Sequence, residues 1–190
     1  NFHRKIDDEL AKNYSFEQVR SVFYWYNWNK DLKEETQEIY KRWQVLKMLS
    51  GLEKDDYEKN TPKDGIVERF QVANYVAGTG RCATHADPHK NCRFVLNAYM
   101  TKRGIHFNKG GFYVVKNDKK EIIDVEKDFD IGDMGFHYAS VMHGVNRIDP
   151  GKKIDWKSAN GRWWVNVCAM ESNVISDRNR TTAVADKEQY

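Results

Sequence analysis

Cysteine is scarce in this chain of 190 residues. Cys82, Cys92 and Cys168 are the whole supply, and no two of them form a CxxC pair. An odd, sparse set excludes a disulfide framework and points to free thiols in a reducing compartment, so a cytoplasmic location is expected. Charge of one sign is lacking too. A net charge of +3 is too mild for a nucleic-acid partner or an acidic membrane surface. No apolar run approaches the ~20 residues of a membrane span, and no signal peptide is visible. Repeats, low-complexity segments and a His-Glu-x-x-His zinc motif are all missing. Neither nucleic acid nor a membrane is therefore expected as a partner.

What is present is a soluble, ring-rich composition. Hydrophobic residues make up 40% and charged residues 31%, which suits one globular domain over 1–190. Six tryptophans within an aromatic share of 13% call for a core or pocket lined by large rings. Residues 1–60 read as a helical flank. Ser15 and Gln18 have capping-box spacing, and Phe16, Val19, Val22, Phe23 and Tyr26 recur at helical intervals. Leu32, Thr36, Ile39, Tyr40, Trp43, Leu46 and Leu49 form the stripe of a second helix, stopped at Gly51. Residues 53–65 are charged and carry Pro62 and Gly65, as a connecting loop does.

From residue 66 the period becomes strand-like. Val67–Val76, Arg93–Thr101, Phe112–Val115, Glu121–Val125, the stretch Met134–Val145 and Arg162–Cys168 read as strands, with turns at Gly78–Gly80, Asn117–Lys120 and Gly132–Asp133. Gly110–Gly111 allows a tight turn or a close backbone approach. The tail from Glu171 is polar and reads as peripheral. The expected architecture is α+β: a β core over 66–170, barrel- or sandwich-like, with the N-terminal helices packed outside.

The chemistry-bearing stretch is Thr84-His85-Ala86-Asp87. Residues two apart on a strand point the same way, so His85 and Asp87 project side by side. His143 lies in an apolar stretch, where an imidazole needs a partner. Two histidines and a carboxylate on one side of a metal make the facial triad of non-haem Fe(II) oxygenases. A surface turn at His85 and a satisfied core histidine at 143 are the plain alternatives. His137 shares the strand parity of His143 and competes with it. His89 stands four residues after His85, but Pro88 opposes a helix there. Arg162 opens the last strand, where a guanidinium can grip a carboxylate with two bonds. Arg147 and Lys153 are rival anchors. Strand parity makes Trp164, Asn97 and Arg93 candidates for a pocket lining.

The ordered set Phe70–Gly78, His85-Ala86-Asp87, Gly110–Gly111, Gly132–Asp133, His143 and Arg162 resembles the Fe(II)/2-oxoglutarate-dependent dioxygenase superfamily, closest to its prolyl-4-hydroxylase-like branch. The resemblance covers roughly residues 66 to 170. It implies a double-stranded β-helix of jelly-roll, cupin-like form, with His85, Asp87 and His143 as iron ligands. It implies Fe(II) as the metal and 2-oxoglutarate as cosubstrate, with O2 as co-reactant and ascorbate as a further candidate. Arg162 would hold the distal carboxylate of 2-oxoglutarate, with Tyr99 as a second hydrogen-bonding partner. Family members often place this cation nearer the distal histidine, a spacing that Lys153 has instead. Asp87, where related halogenases carry a small residue, implies hydroxylation of a C–H bond. A small metabolite such as an amino acid derivative is the expected substrate. The alternatives are a peptidyl hydroxylase of the same superfamily, a zinc hydrolase and a non-catalytic cupin-like module. The oligomeric state is open.

Overall fold

Twelve strands and one α-helix make up the described part of this computed structural model, which covers residues 2–6, 16–17, 19–27, 33–87, 92–116, 121–177 and 182–183. In chain order these are β1 (Phe2–Ile6), β2 (Phe16–Glu17), β3 (Val19–Tyr26), α1 (Lys33–Leu49), β4 (Ile66–Val76), β5 (Arg81–Ala86) and β6 (Phe94–Tyr99). They continue with β7 (Gly111–Lys116), β8 (Glu121–Asp124), β9 (Met134–Tyr138), β10 (His143–Asn146), β11 (Gly161–Glu171) and β12 (Thr182–Ala183). The described residues are thus mostly antiparallel sheet with one α-helix and two short 3-10 turns.

Two sheets form. The first runs β1-β3-β4-β11-β6-β9 and the second β12-β5-β10-β7-β8, with β2 also paired to β5. The spine of the first sheet is β4 against β11, paired without interruption from Gly161↔Val76 to Glu171↔Ile66. Both strands are rich in β-branched and aromatic residues that fill a pleated surface. Alternation then sorts their side chains. Phe70, Val165, Val167 and Ala169 face the helix, while Ala73, Tyr75 and Trp164 face the second sheet. There they meet Cys82, Phe112 and Val145 of β5, β7 and β10, so the two sheets share one core.

Helix α1 covers the outer face of the first sheet. Trp43 and Leu46 are buried against Phe70 and Leu96, each burial contributing about 2 kcal/mol. The expected stripe holds for Ile39, Tyr40, Trp43 and Leu46, but Leu49 is 68% exposed. The helix stops as expected at Gly51, whose φ of 81° suits glycine. Gly51 N donates to Met48 O and Leu52 N to Lys47 O, which closes the last carbonyls. No helix among the described residues is long and apolar enough to cross a membrane.

Three expectations need correction. The first expected helix is strand β3 over Val19–Tyr26, paired to β4 from Val19↔Tyr75 to Tyr26↔Arg69. The run Val22-Phe23-Tyr24-Trp25-Tyr26 is β-favouring, and it splits its rings between two layers: Tyr24 packs inward and Trp25 against the helix side. The single stretch Met134–Val145 is two strands in different sheets, β9 and β10, joined by a turn in which Val141 N donates to Tyr138 O. The tail is not wholly peripheral, since β12 pairs with β5 at Ala183↔His85. Ser15, Gln18, Leu32, Pro88, His89 and the turn at 117–120 lie outside the described residues.

Candidate metal centre

Sheet pairing brings the two distant histidines together. His85 lies near the end of β5 and His143 opens β10, and antiparallel register sets them opposite one another with ring centroids 4.3 Å apart. Cross-strand partners are the nearest side-chain neighbours a sheet offers. Asp87 follows β5 directly, and its N–H donates to Ala139 O at 2.9 Å, which fixes the chain as it leaves the strand. Asp87 Oδ1 stands 3.8 Å from His85 Nε2, and Oδ2 stands 3.7 Å from His143 Nε2. These separations are too long for hydrogen bonds. They suit ligands of one ion, because bonds of about 2.1 Å to a shared metal leave ligand atoms about 3–4 Å apart. One ligand atom from each of the three side chains lies within 4.8 Å of the others.

The far side of each ring is tied in the same way. His85 Nδ1 is 2.7 Å from Ala83 O, and His143 Nδ1 is 2.9 Å from Val141 O. A carbonyl only accepts, so Nδ1 carries a proton in each ring and Nε2 is left as the atom that can bind a metal. The sequence offers this arrangement for free, since both bonds go to the carbonyl two residues back.

Electrostatics separates the two imidazoles. Burial disfavours charge on His85, but Cys82, the Asp87 carboxylate and the Ala83 carbonyl outweigh it and push the group up to about 9. Burial and the charge on His85 push His143 down, against the pull of Asp87 and the Val141 carbonyl. The close pair therefore carries one positive charge, on His85, while His143 stays neutral.

His137 is the third imidazole here. It projects from β9 in the opposite sheet, and its ring centroid lies 4.4 Å from that of His143. The sequence parity that linked these two histidines was not that of one strand, yet both point inward. His137 Nδ1 is 3.3 Å from Asn97 Nδ2, and its Nε2 is buried with no partner among the described residues. Burial, with the neighbouring histidines, lowers its pKa to about 3, so this ring is neutral.

The inner face of the first sheet continues away from the triad as a polar floor. Asn166 is in register with Gln71 on one side and Asn97 on the other, which lines up three carboxamides. Gln71 Nε2 and Trp164 Nε1 are buried without partners among the described residues. Asn97 and Trp164 thus stand where parity expected them. Arg93 does not: it is exposed, and its guanidinium donates to Ser50 O at the end of the helix.

Farther along, Arg162 is 1% exposed, with its guanidinium carbon 5.6 Å from the ring centres of Tyr75 and Tyr99. Its Nε donates to both oxygens of Glu126, at 2.7 and 2.6 Å. Glu126 is the functional candidate that sequence reasoning missed. It sits in the charged run Val125-Glu126-Lys127-Asp128, where nothing marks one carboxylate as buried. Phe112 joins the two centres: its N–H donates to Glu126 Oε2, and its ring centroid is 5.6 Å from that of His143. Lys153, the rival anchor, is exposed and lines a separate cavity of about 670 Å³ with Lys152, Asn108 and Trp163. No member of the triad lines that cavity.

No family model matches the sequence, and no curated protein matches it. Solved structures do. A prolyl-4-hydroxylase from Pseudomonas putida superposes with a TM-score of 0.52 at 11% identity, over 78% of this chain and 70% of the other. A prolyl hydroxylase from Trichoplax adhaerens, solved with a peptide fragment of the hypoxia inducible factor oxygen degradation domain, gives 0.51 at 12% identity. That match covers 78% of this chain and 61% of the other, so the chain spans less than two thirds of the second neighbour's length.

The structural neighbours of this chain are prolyl hydroxylases. At such low identity the prolyl hydroxylase likeness speaks to the fold, and activity has to be argued from the site itself. The donor set fits a divalent iron: two imidazoles with their distal nitrogens tied back, and one carboxylate.

Proposed function

We propose that the chain is a single-domain Fe(II)- and 2-oxoglutarate-dependent oxygenase, a double-stranded β-helix whose iron ligands are His85, Asp87 and His143. The observation that carries this reading is the convergence of the two Nε2 atoms on one carboxylate, with both Nδ1 atoms tied to carbonyls. When bound, iron would activate O2 as the four-electron oxidant, with 2-oxoglutarate giving two electrons as it becomes succinate and CO2 and a substrate C–H bond giving the other two.

The chain's own residues prepare that chemistry. His85 and His143 present their Nε2 atoms in a preset orientation, and Asp87 would offset part of the metal's charge. His85 gives up its proton when a metal arrives. The Phe112 ring keeps water from one side of His143. At the other end, Arg162 and the Tyr99 hydroxyl would receive the distal carboxylate of the keto acid. Burial raises the Tyr99 pKa, so its phenol stays protonated and can donate. The position of Arg162 favours it over Lys153 as the anchor, because Arg162 is buried on the inner face beside Tyr99 whereas Lys153 lines a separate cavity.

The three carboxamides on the inner face support a small polar substrate, such as an amino acid derivative. The peptide bound by the Trichoplax neighbour favours a second reading, a peptidyl substrate. The three cysteines are free and buried, in keeping with a cytoplasmic protein. Anaerobic addition of Fe(II) and 2-oxoglutarate tests the proposal. The expected result is a weak visible charge-transfer band, followed by succinate once O2 enters. Hydrolytic activity with Zn2+ alone, and no succinate with iron, would replace the oxygenase by a zinc hydrolase.

A further inference from the structure

The cation assigned to the keto acid already has a carboxylate. Glu126 is 2% exposed, both its oxygens meet Arg162 Nε, and the Phe112 N–H holds one of them. Gly111 makes room for it: a Cβ there would lie 3.0 Å from Glu126 Oε2 and 2.9 Å from Arg103 Nη2. Arg103, the next cation, is itself spent on Asp124 through two bonds of 2.6 and 2.7 Å. Arg162 and Arg103 are thus each paired with a carboxylate, Glu126 and Asp124.

Shape and charge here say different things. Among the described residues, the hydrogen bonds of Arg162 run through Nε alone, so its two terminal amino groups have bonds to give. A ligand oxygen can use them. A carboxylate that does so brings a second negative charge to a buried cation that one carboxylate has already neutralised.

We infer that Glu126 is a specificity-determining residue that neutralises Arg162 and sets the anchor against a charged distal end on the keto acid. The inference rests on the oxygenase reading and deepens it. The site takes an α-keto acid whose remote end is an uncharged acceptor or a short alkyl group about as readily as it takes 2-oxoglutarate. Glu126→Gln keeps the acceptor for Arg162 Nε and for the Phe112 N–H while removing the charge, so it converts the anchor to one that prefers the dianion.

The test is anaerobic calorimetric titration of the Fe(II)-loaded protein with 2-oxoglutarate and with 2-oxopentanoate, its equal in carbon number without the distal carboxylate. The wild type is expected to favour 2-oxoglutarate by less than about tenfold, and Glu126→Gln to tighten 2-oxoglutarate by about tenfold or more with 2-oxopentanoate unchanged. A wild-type preference for 2-oxoglutarate above about tenfold, or a Glu126→Gln variant that binds it no better, overturns the inference and leaves the oxygenase reading standing. If the variant does not fold, the wild-type ratio decides alone. If the iron-loaded protein binds neither keto acid, both readings fall.

Discussion

Glu68 and Glu126 are both carboxylates taken out of water beside a single cation, but they differ in what else is bonded. Glu68, on the helix side of the first sheet, accepts from Asn27 Nδ2, Tyr40 Oη, Trp43 Nε1 and Lys47 Nζ at 2.6–2.8 Å. Lys47 spends a further bond on Asp56 O. Every partner in that cluster is part of the chain, and the cluster fastens α1 to β4. Glu126 faces a guanidinium whose hydrogen bonds, among the described residues, end at Nε, beside Tyr99 and Trp164. A buried ion pair adds stability only when its bonds are complete. One with donors to spare, among the unpartnered Gln71 Nε2 and Trp164 Nε1, is built to meet something else.

The largest effect expected from this contrast is at Glu68. Glu68→Ala leaves Lys47 buried and unpaired and should cost about 3–5 kcal/mol of folding stability in chemical denaturation. Metal binding by the protein that remains folded should be unchanged. A loss below about 1 kcal/mol would mean that the saturated pair does not fasten the helix.

Next in size is Asp87→Ala. Apparent Fe(II) affinity, followed by anaerobic titration, should fall about 100-fold or more. An unchanged affinity would place the ion elsewhere.

Third is pH. His85 is held up at about 9, so below that value a proton must leave before Nε2 can bind metal. Apparent metal affinity should rise as pH rises, by about tenfold per unit, and level off above about pH 9. A flat profile between pH 6 and 9 would show that His85 is not a ligand that gives up a proton.

The smallest effect is at Lys153. Because it is exposed on a separate cavity, Lys153→Ala should change 2-oxoglutarate affinity by no more than about twofold. A large loss would move the anchor from Arg162 to the loop.

Residue patterns made the triad and its strands legible for a local reason. His85 and Asp87 share strand parity, and β4, β6, β7 and β11 have the alternation or bounded apolar runs that strands show. Helix α1 was equally plain from Trp43 and Leu46. Residues 19–26 misled because a dense aromatic run satisfies helical and strand spacing together, and only its partner β4 decides between them. Strand parity groups His137 with His143, but they lie on β9 and β10, because the break after Tyr138 has no glycine or proline to mark it. Glu126 was invisible: its burial depends on Arg162 and Phe112, 36 and 14 residues away in sequence.

The account stands most directly on where the metal sits. Crystals grown anaerobically with Fe(II) and measured at the iron absorption edge should give one anomalous peak, bonded to Nε2 of His85, Nε2 of His143 and a carboxylate oxygen of Asp87. A peak bonded instead through Nδ1 or by His137, or no peak between these side chains, would contradict it.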